Sequence, residues 1–74
     1  MKIVGSNGRS AFLVAESINA KTGRILDTDR GRISPEMDVD MILKWGYWEE
    51  YHPTKEELEK ILKGVDLKGV KIDA

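Results

Sequence analysis

Acid–base or metal chemistry in this chain would have to come from His52, its one histidine, or from the carboxylate pairs Asp27/Asp29 and Asp38/Asp40. A histidine acts as a general base only with a nucleophile or a second titrating group in reach. His52 stands between Tyr51 and Pro53 with no such neighbour in sequence, which suits a boundary or interface residue. Asp27-Thr28-Asp29-Arg30-Gly31 lacks the spacing and terminal Glu of a calcium loop. Asp38 and Asp40 are what the positive end of a helix attracts. There is no Cys, which removes thiolate ligands, cysteine nucleophiles and disulfides. The chain is therefore read as noncatalytic, with no catalytic residue, metal site or cofactor expected.

Binding chemistry is better represented. Residues 45–52, WGYWEEYH, hold both tryptophans and both tyrosines, leaving Phe12 as the one aromatic elsewhere. Such rings are the largest apolar surfaces a sequence can place, so this segment is either core or partner surface. The second cluster is basic. Arg9, Lys21, Arg24, Arg30 and Arg32 lie at or beside expected turns, from which they could reach phosphates. The excess is modest, six cations against three anions in residues 1–34, and it is reversed to six against ten in residues 35–74. Phe12 alone offers no stacking platform for bases.

The elements that position these groups are read from turn and cap residues. Asn7-Gly8 is a strong two-residue hairpin turn between a strand at Lys2–Ser6 and one over residues 10–18. Counting across it sets Val4 opposite Ala11 and Ile3 opposite Phe12, so Ile3, Phe12 and Val14 share a face. A turn at Asn19-Ala20-Lys21-Thr22-Gly23 leads to a third strand over residues 24–28, with Asn19 opposite Arg24 and Ile18 opposite Ile25. That register puts Phe12, Val14, Ile18 and Ile25 on one side and a mixed set, Ala11, Leu13, Ala15, Ser17 and Leu26, on the other. A helical reading of residues 11–21 competes, and the flanking turns argue against it. Asp29-Arg30-Gly31 is a further turn, followed by a short extended Arg32-Ile33.

Ser34 as N-cap and Pro35 at the first helical position start a helix expected over residues 35–45 at least. Pro53 imposes the next boundary. Thr54 caps a second helix, and Glu57 three residues on completes a capping box. Leu58, Ile61, Leu62 and Val65 make its apolar stripe, and Gly64 its stop. A last short strand is expected over residues 69–73, through Val70 and Ile72. If the first helix continues through Gly46, Met37, Met41, Trp45, Trp48 and His52 line up on one side, with Val39, Leu43, Tyr47 and Tyr51 on the other. Trp45 and Met41 then complete the core, and Tyr47, Trp48 and Tyr51 are the partner-interface candidates.

Two short runs resemble known motifs. Gly5-Ser6-Asn7-Gly8 has the spacing of the GxxG loop of KH domains, but that loop joins two helices and this one has no room for a preceding helix, so a hairpin is the better account. Residues 19–26, NAKTGRIL, resemble the hairpins of PepSY modules and of some propeller blades, a resemblance that implies a hairpin and no ligand.

Together these readings describe one small α+β domain over residues 1–74. It is expected as two layers, an antiparallel β-meander of three to four strands with two helices packed on one face. High charge, no Gln and only two Asn, Asn7 and Asn19, match the tendency of hyperthermophile proteins. The absence of Cys, of a signal-like apolar N-terminus and of a long apolar run sets the expectation of a cytoplasmic protein without membrane contact. The expected role is protein interaction or self-association as a homodimer, through Tyr47, Trp48 and Tyr51. The alternative is an accessory nucleic-acid binder that uses the arginine-bearing end of the sheet.

Overall fold

A computed structural model describes residues 1–73. The chain forms β1 (Lys2–Ser6), β2 (Ala11–Ala15), β3 (Thr22–Asp27), β4 (Arg32–Ile33), β5 (Met37–Asp38), α1 (Val39–Lys44), β6 (Glu49–Glu50) and α2 (Lys55–Leu62). The sheet is antiparallel in the order β4-β3-β2-β1-β6, and β5 pairs with the start of β3. It is a small α+β domain, with more strands than the three to four expected. The meander of the first four strands is as the turn residues imply, and β6 adds to the far edge of β1.

The first hairpin is wider than the two-residue turn expected, because the side chain of Asn7 organises it. Its Oδ1 accepts from the Arg9 and Ala11 N–H groups at 2.9 and 3.1 Å, and the Asn7 N–H donates to the Ala11 carbonyl at 3.1 Å. The pairs nearest the turn are Ser6↔Phe12 and Gly5↔Leu13, and then a bulge at Val4 restores an even offset, giving Ile3↔Val14. A strand alternates faces at every residue, so only the parity of a register error matters for what is buried. Ile3, Phe12 and Val14 do share a face.

The second register differs by an odd number, and the faces exchange. Phe12 pairs with Leu26 and Leu13 with Ile25, so Leu26 rather than Ile25 joins Phe12 and Val14. The cause is an early end to β2 at Ala15 and a broad turn after it, with the Ala20 N–H donating to the Ser17 carbonyl at 3.1 Å. Gly23 then passes close to β2. A Cβ there would lie 2.7 Å from the Val14 carbonyl oxygen, closer than side chains tolerate.

Both faces of the sheet are buried, and one helix covers each. Ile3, Phe12, Val14, Leu26 and Ile33 pack with Leu58 of α2, while Val4, Leu13 and Ala15 pack with Val39 and Ile42 of α1. The expectation of two helices on one face is therefore corrected to a sheet between two helices. The mixed side expected around Leu13 and Ala15 is core, both residues being fully buried. A fully buried Leu or Ile contributes about 1.5–3 kcal/mol relative to an exposed one, so each face carries several such contributions.

α2 follows its caps. The Glu57 N–H donates to Thr54 Oγ1 at 3.2 Å, the Thr54 N–H donates to Glu57 Oε1 at 3.1 Å, and Gly64 just beyond the helix takes a φ of 80°. The first helix does not. Ser34 is not an N-cap, because its Oγ accepts the Ile25 N–H at 2.8 Å and its own N–H donates to the Ile25 carbonyl at 2.8 Å. Ser34 thus prolongs the ladder to β3, Pro35 interrupts it, and Met37–Asp38 rejoins it. The helix begins at Val39, whose N–H donates to the Lys21 carbonyl at 2.9 Å, and is six residues long. The strand expected over residues 69–73 is a single bridge, Lys2↔Asp73, with Val70 and Ile72 half-buried against the Phe12 face.

Candidate interaction surface

The aromatic segment is not helical. α1 ends at Lys44, and the Trp45 N–H donates to the Ile42 carbonyl at 3.2 Å in a closing turn. Glu49 and Glu50 then pair with Ser6 and Gly5, and the Tyr51 N–H donates to the Val4 carbonyl at 3.1 Å. In an extended chain, positions an odd number apart point to opposite sides of the sheet. Trp48 accordingly packs against the Leu13–Ile42 cluster, whereas Tyr51 packs on the Phe12 face, its ring centroid 5.8 Å from that of Phe12. The Tyr51 hydroxyl donates to Glu57 Oε2 at 3.0 Å, tying β6 to the α2 cap.

The three interface candidates therefore separate. Tyr47 is 71% exposed, Trp48 half-buried, and Tyr51 half-buried on the other side of the sheet. The core assignment of Trp45 and Met41 is overturned, since they are 65% and 46% exposed. What the fold assembles instead is an open groove of about 460 Å³ lined by Asn7, Arg9, Ile25, Ile42, Trp45, Gly46, Tyr47 and Trp48. The first hairpin, β3, the end of α1 and the stretch before β6 each supply part of it.

Its lining mixes polar and apolar surface, three rings and two isoleucines beside Asn7 and Arg9, with one cation and no carboxylate. Arg9 makes no ion pair among the described residues. The Asn7 side chain, bonded to two N–H groups of the loop, fixes the backbone that carries Arg9. The Tyr47 hydroxyl donates to Glu49 Oε1 at 2.6 Å, and that bond with the nearby negative charge raises its pKa. The phenol stays a donor, and Glu49 stays beside the ring. Sequence reading missed the groove because Trp45 and Arg9 were assigned to different surfaces. Gly46, directly after Trp45, is the one local sign that the helix could stop here.

The five basic candidates do not form one patch. Arg9 and Arg30 lie at the same end of the sheet, where the Thr28 N–H donates to the Ser10 carbonyl at 2.9 Å. Arg30 Nε lies 3.7 Å from Asp27 Oδ2, and Asp27 Oδ1 also accepts the Asp29 and Arg30 N–H groups. Arg32 is exposed on β4 opposite Asp27. Arg24 is half-buried and donates through Nη1 to the Ser34 carbonyl at 3.2 Å, while Lys21 is at the far end of β3, before its first residue.

His52 Nε2 lies 3.3 Å from Glu50 Oε2, both exposed. Asp38 stands at the N-cap of α1 without a side-chain bond. Among the described residues no group of three or more His, Asp or Glu is placed to hold a metal ion, and no helix is long and apolar enough to cross a membrane. Comparison with protein families, with curated proteins and with solved structures returned no match.

Proposed function

We propose that this protein is a noncatalytic interaction module whose working surface is the groove between Arg9, Trp45, Tyr47 and Trp48. The observation that carries this reading is the exposure of Trp45 and Tyr47, 65% and 71%, at the rim of a groove floored by buried Ile42. Large rings left in water at the rim of a recess are what binding hot spots are built from, and exposed aromatic surface of this kind marks sites of contact. The surface expected from sequence is thereby redrawn. Trp45 enters it, Trp48 forms its base, and Tyr51 leaves it for the core of the opposite face.

Selection of peptides from a random library against the folded protein, with binding mapped by backbone amide NMR, tests this reading. Selected ligands are expected to perturb the amides of residues 45–48 and Arg9, and to lose at least about tenfold in affinity on Trp45→Ala. A selection that gives no ligand, or ligands mapping only to the Arg30–Arg32 end, overturns it.

Nucleic-acid binding is the second reading, and one observation favours it: Arg9, without a carboxylate partner among the described residues, stands beside three rings, a pairing of cation and stacking surface found in single-strand binders. It expects binding of a homopolymer oligonucleotide that falls steeply with salt and is lost on Arg9→Ala. The absence of binding at low salt removes it. The carboxylates of Glu49, Glu50, Asp27 and Asp29 near this end of the sheet would repel a continuous polyanion, which places protein contact first.

A further inference from the structure

The groove asks for a ligand with two features, a ring to lie among Trp45, Tyr47 and Trp48, and an anionic group for Arg9. Resting on the interaction reading above, we infer that its occupant is a second copy of this chain, docked about a twofold axis so that the Tyr47 ring of each protomer enters the groove of the other and brings Glu49 to the partner's Arg9.

Three observations support this. The surface carries both the projection and the recess: Tyr47 is 71% exposed, and the groove beside it holds about 460 Å³, ample for one aromatic side chain. A patch with both is self-complementary, which a twofold contact requires. The charges are also complementary within one chain. Among the described residues Arg9 lacks an ion-pair partner and no carboxylate lines the groove, and Glu49 accepts the 2.6 Å hydrogen bond of the Tyr47 hydroxyl. The ring and the carboxylate thus travel together, two residues apart.

The available area is of the right order. Fully buried aromatic side chains remove about 150–250 Å² each, and Trp45 and Tyr47 retain most of that. Met41, 46% exposed and one helical turn before Trp45, extends the patch towards the roughly 300–600 Å² of the largest apolar patch on an ordinary monomer. Two such patches and their polar rims approach the ~1,000 Å² at which an interface becomes specific, so the dimer is reversible rather than obligate. Edge-to-edge sheet pairing is a poorer route, because β6 is two residues long and both are exposed glutamates.

Sedimentation velocity and light scattering from micromolar to millimolar protein test the inference. A monomer–dimer equilibrium is expected, weakened at least about tenfold by Trp45→Ala or Tyr47→Ala. Arg9→Glu and Glu49→Lys are each expected to abolish the dimer, because both of its charge pairs become repulsive, and an equimolar mixture of the two variants is expected to recover association as a heterodimer in which both pairs are attractive, one as in the native dimer and one with its charges inverted. All four side chains are exposed, so circular dichroism should read a folded chain throughout. A strict monomer at millimolar concentration, a dimer indifferent to both ring substitutions, or a mixture that stays monomeric overturns it. If the chain is monomeric while selected peptides still bind at residues 45–48, the interaction reading stands and the second copy is wrong. If those peptides fail as well, both fall.

Discussion

The two faces of the sheet are built from the same strands and closed in different ways. The Phe12 face is covered by α2, and the chain after it continues across as a strap, with the Asp66 N–H on the Gly31 carbonyl at 2.8 Å and the Asp73 N–H on the Met1 carbonyl at 2.7 Å. The Leu13 face is covered by the six-residue α1 and by Trp48, and no strap follows. One face is finished. The other leaves Trp45, Tyr47 and Met41 in water beside an open groove. The unfinished side is where a partner gains most by burying apolar surface.

The largest expected effect tests whether the Leu13 face is a true core despite its thin cover. Ile42→Ala and Leu58→Ala should each cost about 2–5 kcal/mol in urea unfolding, Ile42 being fully buried and Leu58 5% exposed. A cost for Ile42→Ala far below that of Leu58→Ala would mean that α1 is not firmly docked. Gly23→Ala comes next and probes the strand common to both faces. Its methyl would meet the Val14 carbonyl at 2.7 Å, so a loss of about 1–3 kcal/mol is expected, and a neutral result would contradict the close approach of β3 to β2.

Thr54→Ala removes the cap of the finished side and should cost about 1 kcal/mol in the same measurement. The cap also titrates. The Thr54 N–H, then the Tyr51 hydroxyl, hold the Glu57 carboxyl below its ordinary value. A carboxyl with a depressed folded pKa stabilises above its unfolded value and loses that contribution as pH falls through the folded one. Stability should therefore decline on the acid side of the ordinary carboxylate range, and Glu57→Gln should flatten that decline; an unchanged pH profile would show the cap to be electrostatically idle. The smallest effect belongs to the open side. Trp45→Ala should change monomer stability by less than about 0.5 kcal/mol, and a loss of several times that would return Trp45 to the core.

Elements defined by neighbouring residues were readable in advance. Thr54 with Glu57, the stop at Gly64, the turn at Asp29-Arg30-Gly31 and the short extended Arg32-Ile33 all stand where local chemistry puts them. The shared face of Ile3, Phe12 and Val14 was also legible, although its register was not, because the wider hairpin and the bulge at Val4 left the parity unchanged. The error at β3 had odd parity, and it moved Leu26 and Ile25 to opposite sides.

Ser34 and the aromatic segment mark where local reading ended. Ser34 has the residue type of an N-cap, yet the N–H it serves is that of Ile25, nine residues earlier in the chain. Helical spacing sets Trp48 on one stripe and Tyr47 and Tyr51 on the other of a helix that does not form there, and the pairing of Glu49 and Glu50 with Ser6 and Gly5 instead places Trp48 against one face of the sheet and Tyr51 against the other. By itself, then, the sequence determined the cap and stop of α2, the turn before Arg32-Ile33, the presence of the strands and a concentrated aromatic segment, since each depends on residues within about a turn of one another. Only the tertiary structure decided which rings are buried and which are offered. That choice rests on β6 joining an edge strand more than forty residues away, a contact with no local signature.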